Sequence, residues 1–205
     1  MQKYSLIDKI KLSEDILELR DKYLSLGIPT MKKQTLNEYV LHLSIKNPKN
    51  VLEIGTATGV SGIVALKTLP NATLTTIEKD EDSFITAKEN FQKFGVSDRV
   101  KQYLGDAGEC LNYLDGSFDF VFLDGAKSHY IDYLFDIKRL MASSAVLFAD
   151  NVLFRGYVDG GVPFGRGDNT IVHNMRKFLD AVIFDEQFIS SVYEIGDGIL
   201  LAQKI

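Results

Sequence analysis

The run Val51-Leu52-Glu53-Ile54-Gly55-Thr56-Ala57-Thr58-Gly59-Val60-Ser61-Gly62 sets how the rest of the chain is read. Val51 to Ile54 suit a buried strand with one acid among them. Gly55, three small residues and Gly59 follow, and an apolar stretch of helical character comes after. The segment reads as a strand, a tight turn and the start of a helix. Glycines let the backbone approach a ligand closely, and a helix start offers unpaired N–H groups and a positive dipole to an electron-rich guest.

A dinucleotide turn carries G-x-G-x-x-G, whereas the glycines here fall at 55, 59 and 62, with an acid two residues ahead of the first. A carboxylate at Glu53 repels a pyrophosphate but suits a ligand bearing an ammonium and a sulfonium, which S-adenosylmethionine (SAM) presents. Glu78 agrees with this. It ends the apolar run Thr73 to Ile77, one strand-helix-strand unit further on, where a carboxylate can accept from both ribose hydroxyls.

Outward from this turn the pattern alternates. Strands are expected near 51–54, 73–78, 100–104, 118–123 and 144–149, with helices over 60–69, 81–94, 107–114 and 128–141. Such alternation specifies an α/β fold: a parallel sheet with helices on both faces. A glycine-rich loop spans Gly156 to Gly165, then a helix (169–184) and two strands (188–195 and 199–204). The hairpin signal Gly196-Asp197-Gly198 makes the last strand antiparallel. Ahead of the core, Leu6, Ile10, Leu17 and Leu24 space an amphipathic helix over Ser5–Leu26, stopped by Gly27 and Pro29, and another helix covers Gln34–Ile45. The whole, 1–205, reads as a single domain with residues 1–48 as a helical addition.

Composition agrees. With 205 residues, 45% hydrophobic and 25% charged, the chain can bury a substantial core. No apolar run approaches the roughly 18 residues of a membrane span, so a soluble, cytoplasmic protein is expected. The single cysteine, Cys110, cannot form an internal disulfide and reads as a small hydrophobe. The net charge of -5 argues against a general nucleic-acid binder, although residues 1–50 carry more basic than acidic side chains.

In open α/β sheets ligands bind beyond the carboxyl ends of the strands. The third strand ends at Gly105-Asp106-Ala107, placed for an adenine. The apolar strands FDFVFLD and AVLFAD end at Asp124 and Asp150, with Asn151 directly behind. Either aspartate alone could cap the next helix. Together with Asn151 they form an all-oxygen set that suits Mg²⁺. Lys127, three residues past Asp124, becomes a candidate general base.

LEIGTATG, Glu78, FLDGAK ending at Lys127 with Tyr130 beyond, and Asp150-Asn151 resemble the SAM- and Mg²⁺-dependent O-methyltransferases that include catechol and caffeoyl-CoA O-methyltransferases. The resemblance spans residues 28–205. It implies the class I SAM-dependent methyltransferase (Rossmann-like) fold, with seven strands, mostly parallel, and a homodimer. It also implies metal ligation by Asp124, Asp150 and Asn151, with Lys127 as the base. Cofactor contacts would come from Glu53, Gly55, Thr56, Gly59, Ser61, Glu78, Asp106, Ala107 and Asp124. Within the family, Ile28–Met31, Asp150–Gly156 and Ile195–Gly198 look most like the bacterial tRNA 5-hydroxyuridine methyltransferases, which make 5-methoxyuridine at the wobble position. Two departures stand out: Val60 where many relatives have an aromatic, and the glycine-rich run from Gly160 to Gly167.

The expected partner is therefore a tRNA anticodon loop, with a small phenolic substrate as the alternative. Substrate contacts are expected from Tyr130, Phe154, Arg155, Tyr157 and Arg166. In the RNA reading Phe154 or Tyr157 stacks on the base, and Arg155, Arg166, Arg176 or Lys177 meets phosphates. A non-catalytic nucleotide-binding module or an NAD-linked reductase is disfavoured by the metal set and Lys127.

Overall fold

The computed structural model describes residues 12–160, 162–163 and 165–205. Among them seven strands make one sheet: β1 (Asn50–Ile54), β2 (Thr73–Glu78), β3 (Val100–Leu104), β4 (Phe118–Leu123), β5 (Met141–Asp150), β6 (Phe188–Tyr193) and β7 (Ile199–Lys204). Their order is β3-β2-β1-β4-β5-β7-β6. β7 alone runs against the rest, paired antiparallel to both β5 and β6. The last strand of the chain is thus antiparallel, as the hairpin signal indicates, but it sits inside the sheet, and β6 takes the edge.

Among the described residues seven α-helices form: α1 (Glu14–Ser25), α2 (Lys33–Lys46), α3 (Val60–Thr68), α4 (Glu81–Lys93), α5 (Ala107–Tyr113), α6 (Tyr130–Leu140) and α7 (Asn169–Ile183). They divide into two layers because the central strands are apolar on both faces, as buried parallel strands are. Along β4, Phe120 and Phe122 join a core with Leu36, Tyr39 and Leu43 of α2 and with residues of α1, α3 and α4. Val121 and Leu123 join the opposite core with residues of α5, α6 and α7.

Ends of elements agree with sequence spacing to within a few residues, except that the helix expected over Ser5–Leu26 starts only at Glu14, residues 12–13 being non-helical; two further corrections follow. The strand expected at 144–149 begins at Met141, where Met141 pairs with Phe118. In α1 the buried stripe is Ile16, Leu19 and Tyr23, whereas Leu24 is 51% exposed and Leu17 only half-buried. Ile16, Leu19 and Tyr23 recur at i, i+3 and i+7, one helical face, and that face is the one buried. Leu6 and Ile10 lie outside the described residues.

β1 leads on to β2 and β3 on one side, while β4 and β5 lie on its other side. The crevice between the β1 and β4 ends is therefore the switch point at which open α/β sheets hold ligands. Among the described residues no helix is long and apolar enough to cross a membrane.

Candidate active site

The β1 turn and the β4 end touch. Gly55 has φ +97°, and a Cβ there would lie 2.5 Å from the Asp124 carbonyl oxygen, so glycine is required on both counts. Gly125 packs against the Gly55 backbone in return. The Asp124 N–H donates to Ile54 O at 3.0 Å and the Gly55 N–H to Ile77 O at 3.0 Å. Three strand ends are thereby tied into one rim.

Glu53 is fully buried beneath that rim. Ser61 Oγ donates to its Oε1 at 2.5 Å and Thr76 Oγ1 to its Oε2 at 2.7 Å. Thr56 Oγ1 lies 2.5 Å from Thr76 Oγ1. Burial pushes the Glu53 carboxyl up to about 7, with the hydroxyls opposing and the charges of Asp124 and Glu78 adding to the rise. Among the described residues no ion pair meets this acid. Glu78 accepts from Ala57 N–H at 2.8 Å through Oε2, and from the N–H groups of Lys79 and Asp80 through Oε1. It pins the β1 turn to the end of β2. Asp106 caps α5, its Oδ1 accepting from Gly108 N–H at 2.9 Å, with Ala107 as the first helical residue.

Asp124 and Asp150 follow paired residues, Leu123 opposite Ala149, and so end neighbouring strands side by side. Neither caps a helix: the short turn after Asp124 begins at Ala126 with no side-chain cap, and an irregular turn follows Asp150. Burial and the charge of Asp124 push Asp150 up to about 7, against the pull of the Asn151 N–H and Lys127. Burial raises Asp124 too, and Lys127 lowers it. Lys127 Nζ is 3.5 Å from Asp124 Oδ1. Asn151 takes a left-handed φ of +59°, a conformation asparagine tolerates well, and turns the chain away from the strand. The described residues hold no cluster of three or more His, Cys, Asp or Glu fit for a metal. The set expected from sequence, Asp124, Asp150 and Asn151, is two carboxylates and an amide. All three supply oxygen, as a hard divalent cation requires, and the two acids raise each other's affinity for positive charge.

Tyr130 is a correction. Its side chain is fully buried, with the hydroxyl 3.1 Å from Leu123 O and 3.2 Å from Asp150 O. It braces the ends of β4 and β5 from behind, its one donor committed to their carbonyls rather than turned toward a substrate. Arg176 Nε donates to Val158 O at 2.7 Å and its Nη2 to Tyr157 O at 3.1 Å, so it holds the loop while its side chain stays exposed. Phe154 is nearly buried and packs edge-on to Tyr157, 5.8 Å between centroids. The Arg155 guanidinium lies 5.4 Å from the Phe154 ring, and Arg155, Arg166 and Lys177 are exposed. Cys110 is half-buried.

Sequence reasoning passed over Thr76, Gly125 and Asp197. Thr76 was visible as a hydroxyl within a buried strand, and Gly125 as the glycine beside Asp124. Asp197 stood out only as part of the hairpin signal, with nothing local to show its bonding partners. Its Oδ1 accepts from Arg155 N–H at 3.0 Å, and its carbonyl from Leu153 N–H at 2.9 Å.

A seven-stranded sheet of this order, with an acid beneath a glycine turn at its switch point, defines a class I SAM-dependent methyltransferase. The sequence model described as O-methyltransferase matches residues 9–205, and the chain belongs to that family. A caffeoyl-CoA O-methyltransferase from Populus kitakamiensis is 30% identical over 210 residues, covering 94% of this chain and 87% of that protein. A Staphylococcus aureus structure provisionally titled caffeoyl-CoA O-methyltransferase superposes with a TM-score of 0.88 at 26% identity, covering 94% of this chain and 93% of that one. The O-methyltransferase TomG of Streptomyces achromogenes, solved with SAM, shares the fold at TM-score 0.83 and 24% identity, covering 98% of this chain and 92% of its own. The chain is a SAM-dependent O-methyltransferase of the caffeoyl-CoA type.

Proposed function

We propose that this enzyme methylates one of two adjacent oxygens on a planar acceptor, with Asp124, Asp150 and Asn151 holding a divalent cation such as Mg²⁺. The observation that carries the reading is the pair of raised carboxyls at the ends of aligned strands, neither engaged as a helix cap. When bound, the cation supplies the acidity that brings a neighbouring hydroxyl toward ionisation. The chain's own groups do the rest. Glu53 takes the ammonium of SAM, and Glu78 faces its ribose across the pinned turn. Asp106 and Ala107 frame the adenine. Lys127 Nζ, beside Asp124, would accept the hydroxyl proton, the oxygen–methyl bond forming as the methyl–sulfur bond breaks and S-adenosylhomocysteine leaves.

A catechol or hydroxycinnamoyl-type phenol presents such an oxygen pair, and the caffeoyl-CoA relatives support this acceptor. The wobble 5-hydroxyuridine of tRNA presents one too, through its 5-hydroxyl and 4-carbonyl. A specific observation favours it as the second reading. The segments 28–31, 150–156 and 195–198, which carry the resemblance to the tRNA enzymes, are distant in sequence yet adjoin beside the site. Asp197 bonds to Leu153 and Arg155, while Lys32, next to Met31, has its Nζ 3.9 Å from Asp197 Oδ1. Exposed Arg155 and Arg166 would meet phosphates, with Phe154 and Tyr157 as the neighbouring aromatic pair.

Mass spectrometry of tRNA nucleosides from a deletion strain decides between them. Accumulated 5-hydroxyuridine supports the tRNA acceptor; unchanged 5-methoxyuridine, with purified enzyme methylating a catechol, supports the phenol. Failure on both acceptors overturns the shared chemistry.

A further inference from the structure

Tyr39, on α2, is fully buried, and its hydroxyl has no hydrogen-bond partner among the described residues. The ring has every reason to be where it is. It lies 4.6 Å from the Phe122 ring and 5.6 Å from Phe148, centroid to centroid, with Phe120 at 6.0 Å. A phenylalanine would fill that place equally well, so the oxygen needs its own explanation, because a buried hydroxyl without a partner is costly.

The sheet register says which side chains share the face that the ring covers. Glu53 pairs with Phe122, and Phe122 with Phe148, so these three side chains share one face of the sheet. Tyr39 lies over that face, from the α2 stripe Thr35, Leu36, Tyr39 and Leu43. Burial, then the charges of Glu53 and Asp124, holds its phenol well above the usual range, so the proton stays on. The hydroxyl thus belongs to the neighbourhood of the one buried acid that has no cation of its own among the described residues.

We propose that the Tyr39 hydroxyl binds the amino-acid end of SAM, sharing with Glu53 the cofactor's ammonium. The phenol oxygen accepts from an ammonium, and its proton is free for a carboxylate, so that end of the cofactor satisfies it in either sense. The helical addition ahead of the core is then a cap on the cofactor as well as a cover for the sheet. This inference rests on the SAM reading of the β1 turn and deepens it.

The test compares wild type with Tyr39→Phe by calorimetry, using S-adenosylhomocysteine and 5′-methylthioadenosine as probes, the second lacking the amino-acid end. The variant is expected to bind S-adenosylhomocysteine about tenfold more weakly, as for one lost hydrogen bond to a charged group, and methylthioadenosine equally well. Its ligand-free Tm should hold or rise, since an unpaired buried oxygen has been removed. Equal S-adenosylhomocysteine affinity, equal losses for both probes, or a lowered ligand-free Tm each overturns the proposal. Wild type that fails to bind S-adenosylhomocysteine at all overturns the cofactor reading itself, a result separable from the others.

Discussion

Thr76 Oγ1 donates to Glu53 Oε2 across 2.7 Å inside the sheet, between neighbouring strands and away from water. With Ser61 on the other oxygen, the acid is oriented before any cofactor arrives. Preorganisation of this kind lowers the ordering that binding would otherwise require. It also leaves a carboxyl that is reluctant to ionise.

The first prediction concerns that reluctance. Glu53 titrates at about 7 when folded, against an ordinary 4.5. An acid raised in this way holds its proton longer folded than unfolded, so stability falls as pH rises from about 4.5 through 7 and stays low above. The full penalty at pH 8 is about 3 kcal/mol by linkage. Glu53→Gln should therefore match wild type near pH 5 and exceed it at pH 8, while losing S-adenosylhomocysteine affinity. Urea melts at the two pH values check it; a variant weaker than wild type at both would refute the account.

Removing a ligand should uncouple metal from cofactor. Asp150→Asn is expected to abolish the rise in Tm that Mg²⁺ produces, about 2.7 kcal/mol of stabilisation at a hundred times the dissociation constant. Binding of S-adenosylhomocysteine should survive, because Glu53 and Glu78 lie on other strands. Chelator-treated wild type should lose turnover and regain it with Mg²⁺. Full activity in chelator would count against the three-oxygen site.

Lys127 and Asp124 are each about a quarter exposed, at 27% and 24%, so their pair adds little to stability. Lys127→Ala should accordingly leave Tm and cofactor affinity near wild type. Its kcat should fall by roughly 10²–10⁴, the range for loss of a general base. A variant with near-normal kcat would assign the proton to another acceptor.

For Tyr130 the expectation is structural. Tyr130→Phe removes the donor shared by Leu123 O and Asp150 O, at about 1–2 kcal/mol of stability. KM for the acceptor should stay within a few-fold. Unchanged stability with a much larger KM would return Tyr130 to the substrate.

How far the sequence carried the reading follows from what each signal depends on. Periodicity and glycine spacing are local, and so the strand ends carrying Gly55, Glu78, Asp124 and Asp150 were legible. The antiparallel last strand was legible through Gly196 and Gly198, but its place between β5 and β6 was not, because pairing partners are set by the whole sheet. Tyr130 was misread because motif position says that a residue is near the site, and only packing says on which side. Thr76 and Asp197 act across strands, through partners 23 and 42 residues away, and no window of sequence contains both ends of such a bond.

The stitching of Asp197 to Leu153 and Arg155 bears on how such enzymes diversify. Gly198, at φ +88°, leaves no room for a side chain, since a Cβ there would lie 2.7 Å from the Leu153 nitrogen. The turn behind Asn151 and the hairpin before β7 are therefore moulded to each other. Grafting one of them from a relative without its mate would wedge the pair apart at the very place where Asp150 ends its strand. Engineers who wish to retarget the acceptor must transplant both together, and drift in nature would meet the same lock.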